Sequence, residues 1–307
     1  MRILFIDPTH SSLIKGLEKE NHICDTAYIK TREEILSCIC NYQGIVLRSR
    51  ISIDYDFLSG CKNLKFIARA GSGLENIDLD EANKRDIKCL NAPEGNRQAV
   101  AEHSLGLLLS LFNNLNNSDK EVRRGIWERE GNRGIELSGK TIGIIGYGNN
   151  GSAFAELLSS FNVKILTYDK YLKNYSFKSN MRTIFNEADI LSLHVPLTDE
   201  THYLVNDAFL NKFRKPIYII NTARGKCLFT KALVTAMESG KVIGACLDVL
   251  EYEKNSFEEV LYNESSKDIQ YLIDSNKTIL TPHIAGWTHQ SNIKIAKILL
   301  NKIIAIS

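Results

Sequence analysis

Short apolar runs alternate with amphipathic or charged stretches from the start of the chain. Short apolar strands separated by helical segments are typical of βαβ units, in which the strands run parallel and helices cover both faces of the sheet. Five such runs come before a long apolar helix, which we predict from Gln98 to about Asn117. They are Ile3 to Ile6, Ile23 to Ile29, Ile45 to Leu47, Leu64 to Ala68 and Ile87 to Leu90.

A second series of six runs follows that helix, and six strands are enough for a complete dinucleotide-binding sheet. They are Thr141 to Ile145, Val163 to Tyr168, Ile190 to His194, Ile217 to Asn221, Val242 to Asp248 and Thr278 to Leu280. The last predicted helix, Ser291 to Ile304, has no strand after it, so we expect it to cross back and pack on the first domain. The pattern predicts an α/β protein with two doubly wound parallel-sheet domains, residues 1–96 plus 287–307 and residues 97–286.

Charge and composition narrow the class of partner. The 38 basic and 36 acidic residues leave a net charge of +2, too weak a field to hold a nucleic acid or an anionic membrane surface. The longest apolar stretch, Leu105 to Phe112, is far shorter than the roughly 20 residues of a membrane span. None of the seven cysteines falls in a CxxC pair or at zinc-finger spacing. We therefore expect a cytoplasmic protein with reduced thiols, no metal site and a small-molecule partner.

One glycine-rich segment has the context of a pyrophosphate loop. Gly146-Tyr147-Gly148-Asn149-Asn150-Gly151 fits G-x-G-x-x-G, follows the predicted strand Thr141 to Ile145 and opens a predicted helix, Ser152 to Ser160. Asp169 ends the next strand, 18 residues past Gly151, where a carboxylate can accept hydrogen bonds from both ribose hydroxyls and repel the extra phosphate of NADP. The segment therefore predicts an NAD site. The alternative is a plain strand-to-helix turn with Asp169 as a surface cap.

Together with five further motifs, this segment resembles the D-2-hydroxy-acid dehydrogenase family, most closely its D-3-phosphoglycerate dehydrogenase branch. The motifs are Arg69-Ala-Gly-Ser-Gly-Leu-Glu-Asn-Ile-Asp78, Asn91-Ala-Pro-Glu-Gly-Asn96, Asn221-Thr-Ala-Arg-Gly225, Leu247-Asp-Val-Leu-Glu-Tyr-Glu253 and Thr281-Pro-His-Ile-Ala-Gly286. The resemblance spans nearly the whole chain. It implies a Rossmann NAD-binding domain and a flavodoxin-like substrate domain. We expect no appended regulatory domain, because the chain ends soon after the dehydrogenase unit.

Three residues at predicted strand ends suit hydride transfer at C2 of a hydroxy acid. Histidine as a residue type titrates near neutral pH, so His283 is suited to take the hydroxyl proton and return it. Glu253, by its match to the family, fills the place of the carboxylate that fixes the imidazole tautomer. Arg224 can hold two carboxylate oxygens of the substrate at once. Each residue taken singly has an alternative interpretation: His283 as a turn residue, Arg224 as a surface charge and Glu253 as part of an acidic run.

The resemblance also assigns contacts by position. Ser72 and Gly73 would present backbone N–H groups to the substrate carboxylate. The cofactor contacts would come from Asn149 and Asn150 at the pyrophosphate, His194-Val195-Pro196 beside the adenine, Thr222 and Ala223 at the nicotinamide, Asp248 at the carboxamide, and Ala285 and Gly286. Other histidines lack such context and are assigned to caps, helix faces or solvent: His10, His22, His103, His202 and His289. Lys254 stands where most relatives carry proline, which leaves the path of the following polar segment open.

Three arginines bear on the identity of the acid. Arg48, Arg50 and Arg69 follow predicted strands of the first domain, and a phosphorylated substrate needs such cations. In the phosphoglycerate branch, arginines matching Arg48 and Arg69 help to hold the phosphate, and Trp127-Glu-Arg129 resembles a segment that reaches in from a partner subunit. Alternatively, strand-end arginines simply face water. We predict 3-phosphoglycerate as the substrate and a homodimer built around the apolar helix.

Other functions remain open at this point. A reductase for glyoxylate, hydroxypyruvate or another short 2-oxo acid would use the same catalytic residues with a different substrate site. An NAD-sensing, corepressor-like scaffold would share the fold without the reaction. A flavodoxin-like binding module would leave the second sheet and its glycine loop unexplained.

Overall fold

The computed structural model describes residues 1–253 and 267–307, and these divide into two compact units. Unit 1 contains residues 1–97 and 287–307, and unit 2 contains residues 98–253 and 267–286. The elements of the first part of unit 1 are β1 (Arg2–Phe5), α1 (Ser11–Lys19), β2 (Ile23–Thr26), α2 (Arg32–Leu36), β3 (Gly44–Leu47), α3 (Tyr55–Ser59), β4 (Phe66–Arg69), α4 (Leu79–Lys84) and β5 (Lys88–Leu90). A short 3₁₀ helix, Ile39–Asn41, precedes β3.

The described residues of unit 2 form seven α-helices and one six-stranded sheet. Its elements are α5 (Arg97–Phe112), α6 (Leu115–Arg123), β6 (Thr141–Ile145), α7 (Asn149–Leu158), β7 (Lys164–Tyr168), α8 (Met181–Glu187), β8 (Ile190–Leu193), α9 (Asp207–Leu210), β9 (Ile217–Asn221), α10 (Thr230–Glu238), β10 (Val242–Leu247), α11 (Lys267–Asp274) and β11 (Thr278–Leu280). A 3₁₀ turn, Gly225–Cys227, precedes α10. The chain then re-enters unit 1 as α12 (His289–Ile304).

The sheet of unit 1 is parallel throughout, in the order β2-β1-β3-β4-β5. Its strands read as nearly continuous apolar runs because both faces are covered. Leu4 and Ile6 point into one buried cluster, whereas Ile3 and Phe5 point into the other. This order is the flavodoxin-like one, in agreement with the predicted fold class.

Helix α12 supplies part of the second cluster. Ile295 and Leu299 of this helix are buried beside Phe5. A Cβ on Gly16 of α1 would lie 2.4 Å from a side-chain carbon of Leu300, so the absence of a side chain there allows the two helices to approach closely. The last helix therefore packs on the first sheet, although it follows all the strands of unit 2.

The sheet of unit 2 is also parallel, in the order β11-β10-β9-β8-β6-β7. The strand order reverses at β6, which pairs with β7 on one side and β8 on the other. In open parallel sheets, ligands bind outside the carboxyl ends of the strands at such a switch point. The loops after β6 and β8 thus occupy the expected place for a dinucleotide.

The predicted apolar helix from Gln98 to about Asn117 is wrong at its end. Asn114 adopts the left-handed conformation (φ 51°), which asparagine tolerates better than most residues, and this breaks the segment into α5 and α6. The leucines of α5 are largely buried in the core of unit 2, beside Ile142 and Ile144. They therefore cover the molecule's own sheet, and the exposed apolar side chains lie instead on α6 and in the segment after it.

Two absences concern only the described part of the chain. No helix within residues 1–253 and 267–307 is long and apolar enough to cross a membrane. Nor does any group of three or more histidine, cysteine, aspartate or glutamate side chains within those ranges form a candidate metal site.

Candidate active site

The glycine loop is built on two positions that admit no side chain. Gly146 has a positive φ of 91°, and a Cβ there would lie 2.4 Å from the carbonyl oxygen of His194. A Cβ on Gly151 would lie 1.9 Å from the carbonyl oxygen of Gly146. Helix α7 begins at Asn149, three residues earlier than predicted, with Gly148 as its N-cap. The loop therefore brings bare backbone and a helix N-terminus together, an arrangement that favours a bound anion.

Asp169, just past β7, is tied to the glycine loop. Its carboxylate accepts hydrogen bonds from the backbone N–H groups of Tyr147 (2.8 Å), Tyr171 (2.9 Å) and Leu172 (3.0 Å). Burial by itself raises the pKa of Asp169, but these three donors outweigh it and hold the pKa below its ordinary value. Asp169, predicted to bind the adenosine ribose, is thus a charged acceptor, and some of its lone pairs already accept hydrogen bonds that fix the loop.

Two buried polar atoms lie beside the glycine loop, one in the loop after β8 and one in α7. The His194 Nε2 atom contacts the Ser192 hydroxyl at 2.8 Å, while its Nδ1 atom is buried with no hydrogen-bond partner among the described residues. Burial lowers the pKa of His194 to about 4, so the ring is neutral at physiological pH. The Oδ1 atom of Asn150 is likewise buried without a partner in the described ranges. Since a buried polar group normally has a partner, these atoms and the side-chain-free loop fit a bound dinucleotide.

Three neighbouring strand ends carry the predicted catalytic residues. In the parallel register, Leu247 at the end of β10 pairs with Asn221 at the end of β9 and with Leu280 at the end of β11. Arg224 lies three residues past Asn221, Glu253 six past Leu247, and His283 three past Leu280. All three residues therefore follow the carboxyl ends of neighbouring strands, at the same edge of the sheet of unit 2.

The loop that carries Arg224 is shaped by a buried amide. Asn221 is fully buried, and its side chain donates to the carbonyl oxygen of Arg224 (3.0 Å) and accepts from the N–H of Ala223 (3.1 Å). The hydroxyl of Thr222 contacts the buried Ser104 hydroxyl at 3.0 Å. Thr222 and Ala223, predicted at the nicotinamide, are thus held rigidly beside the arginine.

The Arg224 and Glu253 loops touch through a glycine. A Cβ on Gly225 would lie 1.9 Å from the carbonyl oxygen of Leu250, so only glycine allows this approach. The Leu250 N–H in turn donates to the Glu253 carboxylate. Nearby Glu251 has a different role, because its carboxylate accepts from the Tyr203 hydroxyl and the Thr230 N–H at the start of α10. The hydrogen bond to Glu251 raises the pKa of Tyr203 to about 12.

His283 and Glu253 form a close pair. The Nδ1 atom of His283 lies 2.7 Å from the Oε2 atom of Glu253, and both side chains are largely shielded from solvent. In the neutral ring, this hydrogen bond places the proton on Nδ1, so Nε2 carries the lone pair. The backbone of His283 has a positive φ of 54°, a conformation that costs energy in a non-glycine residue and recurs at functional sites.

Asp248 holds the loop that carries His283. Its buried carboxylate accepts from the Thr281 hydroxyl (2.6 Å) and from the N–H groups of Ile284 (2.8 Å) and Ala285 (2.9 Å). Burial alone raises the pKa of Asp248, but hydrogen bonds, led by that of His103, together hold the pKa below its ordinary value. These contacts position the loop of His283, and the contact of Asp248 with the carboxamide stays a prediction.

His103 is a functional residue that the sequence analysis missed. Its Nε2 atom lies 3.1 Å from the Thr281 hydroxyl and 3.4 Å from the Asp248 carboxylate, so α5 braces the His283 loop. No signal in the sequence separates this histidine from others on helix faces, because its partners lie far along the chain. By contrast, His10 is an N-cap as predicted, accepting from the Ser12 N–H at the start of α1.

The guanidinium of Arg50, one of the three predicted substrate arginines, hydrogen-bonds to several groups of unit 1. Its guanidinium donates to buried Asp7 (2.9 Å) and to the carbonyl oxygens of Lys30 (2.8 Å), Ile6 (2.7 Å) and Ala27 (3.3 Å). Four of its five N–H groups are thereby engaged with the carboxyl ends of β1 and β2. These contacts fix the strand ends, and the assignment of Arg50 to the substrate stays a prediction.

Arg48 and Arg69 lie together at the carboxyl edge of the sheet of unit 1. The Nε atom of Arg69 donates to the carbonyl oxygen of Arg48 at 3.2 Å, and the Arg48 N–H donates to Asp7 at 2.6 Å. The Arg69 guanidinium occupies the space that a Cβ on Gly71 would need, at 1.9 Å. The two arginines therefore lie at the ends of adjacent strands, and their contact with the substrate stays a prediction.

The turn after β4 is held open by two asparagines. Asn91 donates to the carbonyl oxygen of Ser72 (2.6 Å), and the Ser72 hydroxyl donates to Asn96 (2.7 Å). Within the described residues, the backbone N–H groups of Ser72 and Gly73 have no acceptor. Their contact with the substrate carboxylate stays a prediction.

Comparison with known proteins gives a consistent family assignment. Residues 105–285 match the family model described as the D-isomer specific 2-hydroxyacid dehydrogenase, NAD binding domain. The chain is 31% identical to a D-3-phosphoglycerate dehydrogenase of Archaeoglobus fulgidus over 99% of its own length and 57% of that protein. It is 33% identical to a hydroxypyruvate reductase of Thermotoga maritima over 98% of its length and 97% of that protein. It thus spans little more than half of one relative and nearly all of the other.

A solved structure agrees with these matches. The D-lactate dehydrogenase of Aquifex aeolicus, complexed with NAD and lactic acid, superposes with a TM-score of 0.83 at 26% identity. The match covers 100% of this chain and 95% of the other.

Proposed function

Because the chain belongs to the family of NAD-dependent D-isomer-specific 2-hydroxyacid dehydrogenases, we propose that it transfers a hydride between NAD and C2 of a D-2-hydroxy acid, with Arg224, Glu253 and His283 as the catalytic residues. The observation that carries the proposal is the 2.7 Å pair of His283 and Glu253 at the same sheet edge as Arg224. Unit 2, with its glycine loop, would bind the cofactor.

The residues divide the work by their chemistry. Bound NAD supplies the acceptor or donor of the hydride. The Nε2 atom of His283 takes the proton of the C2 hydroxyl in oxidation and returns it to the carbonyl oxygen in reduction. Glu253 fixes the tautomer and stabilises the imidazolium, as an acid beside a catalytic histidine does. Arg224 binds the substrate carboxylate and polarises the C2 carbonyl.

We propose 3-phosphoglycerate as the physiological hydroxy acid. The support is the position of Arg48 and Arg69 at the ends of the adjacent strands β3 and β4, where the Arg69 Nε atom donates to the Arg48 carbonyl oxygen, because a dianionic group needs cations near it. The reaction would produce 3-phosphohydroxypyruvate, the first step of serine biosynthesis.

Hydroxypyruvate or glyoxylate is the second candidate. It is favoured by the engagement of Arg50 with Asp7, which leaves fewer cations for a phosphate, and by the near-complete match in length to the hydroxypyruvate reductase. A panel of 2-oxo acids, followed by NADH oxidation, decides between them. A higher kcat/KM for 3-phosphohydroxypyruvate than for hydroxypyruvate supports the first candidate, and the reverse order supports the second.

The catalytic proposal has its own test in the same assay. His283→Ala should lower kcat by about 10²- to 10⁴-fold with the best substrate of the panel, the range expected for loss of a general acid–base. Ile293→Ala, an exposed position on α12, serves as the matched control and should leave kcat unchanged. A His283→Ala enzyme with nearly full kcat would refute the assignment.

We also propose a homodimer, formed through α6 and the segment that follows it. Large apolar side chains are exposed there: Leu115, Val122, Ile126, Trp127 and Ile135. An exposed apolar patch of this kind is typical of an interface between copies of a chain. Light scattering should give twice the chain mass of 34.6 kDa, and Val122→Glu should shift the protein towards the monomer. A monomer at micromolar concentration would overturn this proposal.

A further inference from the structure

A large aromatic side chain in unit 1 packs on one of the proposed substrate arginines. The Arg48 Cζ atom lies 3.6 Å from the centre of the Trp287 ring. This separation is at the van der Waals contact of two carbon atoms, so the guanidinium lies over the ring face and not beside its edge. Trp287 is itself 64% exposed, so its indole is not held there by burial in a core.

The backbone of Arg48 is fixed independently of this contact. Its N–H donates to Asp7 at 2.6 Å, and its carbonyl oxygen accepts from Arg69 and from Asn76, both at 3.2 Å. These bonds place the Cα atom but leave the long side chain with several rotatable bonds. The indole restrains these bonds, because a guanidinium packed on the face of an aromatic ring is attracted to it and keeps its position there.

We propose that Trp287 is a positioning residue for the substrate: its ring orders the Arg48 guanidinium so that the N–H edge receives the distal anionic group of the hydroxy acid. The proposal rests on the proposed function and deepens it, since it names a determinant of substrate choice. Trp287 follows directly after Gly286 and lies four residues from His283. One short segment therefore carries both the proton-transfer residue and the residue that orders the substrate arginine.

The contact predicts a selective kinetic effect. Trp287→Leu should raise KM for 3-phosphohydroxypyruvate by about threefold to tenfold, the range of a partly shielded cation–π contact, with kcat nearly unchanged. KM for unphosphorylated hydroxypyruvate should stay within about twofold, because this acid has no distal anion. Trp287→Phe should restore most of the loss, since phenylalanine keeps an aromatic face. Ile293→Ala, exposed on α12, is the matched control.

Arg48→Gln provides the coupling test. If the indole acts through Arg48, the double variant Arg48→Gln/Trp287→Leu should have the same KM for the phosphorylated acid as Arg48→Gln alone. Equal increases of KM for both acids, or additive effects of the two substitutions, would overturn the proposal.

A spectroscopic measurement keeps the contact separate from the identity of the substrate. The chain has two tryptophans, so Trp127→Phe leaves Trp287 as the only one. In that background, Arg48→Gln should change the emission of Trp287 without any ligand, and 3-phosphoglycerate should change it only when Arg48 is present. If the ligand-free emission responds but no phosphorylated acid binds or reacts, the substrate assignment fails and the stack stands. If the ligand-free emission does not respond, the stack itself is refuted.

Discussion

Replacing Gly225 with alanine should damage catalysis more than folding. A Cβ there would lie 1.9 Å from the carbonyl oxygen of Leu250 and 2.1 Å from its carbonyl carbon, whereas real Cβ contacts essentially never fall below 3.0 Å. The obstacle is backbone, so the Arg224 loop and the Glu253 loop must separate by more than about 1 Å. Overpacking of this kind costs about 1–3 kcal/mol of unfolding free energy.

The catalytic loss follows from the geometry. A misplacement of about 1 Å between reacting groups can lower the rate about 100-fold, and this separation acts directly on the distance between Arg224 and the His283–Glu253 pair. We therefore expect kcat/KM to fall about 100-fold in the NADH oxidation assay with the best 2-oxo acid, while the protein still shows a cooperative thermal transition.

The matched control is Gly60→Ala. A Cβ on Gly60 would make ordinary contacts of 3.5 Å or more, and its φ of −79° suits any residue, so both kcat/KM and Tm should be close to those of the parent. The reasoning is refuted if Gly225→Ala keeps kcat/KM within about twofold of the parent, because the two loops would then tolerate a separation that the structure says must disrupt them.

Three further substitutions test single contacts. Because the pKa of Asp248 is held below its ordinary value, its carboxylate stabilises the fold fully at neutral pH and loses this effect on acidification. Asp248→Asn should therefore have a lower Tm than the parent at pH 7, and the difference between the two should shrink below about pH 4. Burial lowers the pKa of His194 to about 4, so the unfolded chain binds a proton at this residue below about pH 6.5, whereas the folded chain does not. This difference should lower the Tm of the parent between about pH 7 and 5, and the decrease should be smaller in His194→Asn. Arg50→Gln should lower Tm, because it leaves the buried charge of Asp7 without its ion-pair partner. It should change KM for 3-phosphohydroxypyruvate by less than about twofold, and a tenfold rise would place Arg50 at the substrate site.

The strands could be predicted well from the sequence because the signal is local. A strand of a parallel sheet is buried on both faces and is therefore a continuous apolar run, as in Thr141–Ile145, Ile217–Asn221 and Thr278–Leu280, which match their predicted bounds. The break between α5 and α6 was missed, since the left-handed conformation of Asn114 does not interrupt the apolar pattern.

The roles of polar side chains were harder to predict, because they depend on partners distant in the sequence. Arg50 meets Asp7 across 43 positions and His103 meets Thr281 across 178 positions. From the sequence, Arg50 is one of three equivalent strand-end arginines and His103 is one of several helix-face histidines.

The sequence by itself determined the order of strands and helices, the glycine loop and the three strand-end residues suited to hydride transfer, because each is encoded within a few consecutive positions. The tertiary structure decided which distant residues the polar side chains contact. Asp248 was assigned to the loop of His283, and Arg48 was placed under Trp287, 239 positions away. The physical reason is that a hydrogen bond or a stacked ring requires two groups within a few ångströms of each other, and only the folded chain brings such distant positions together.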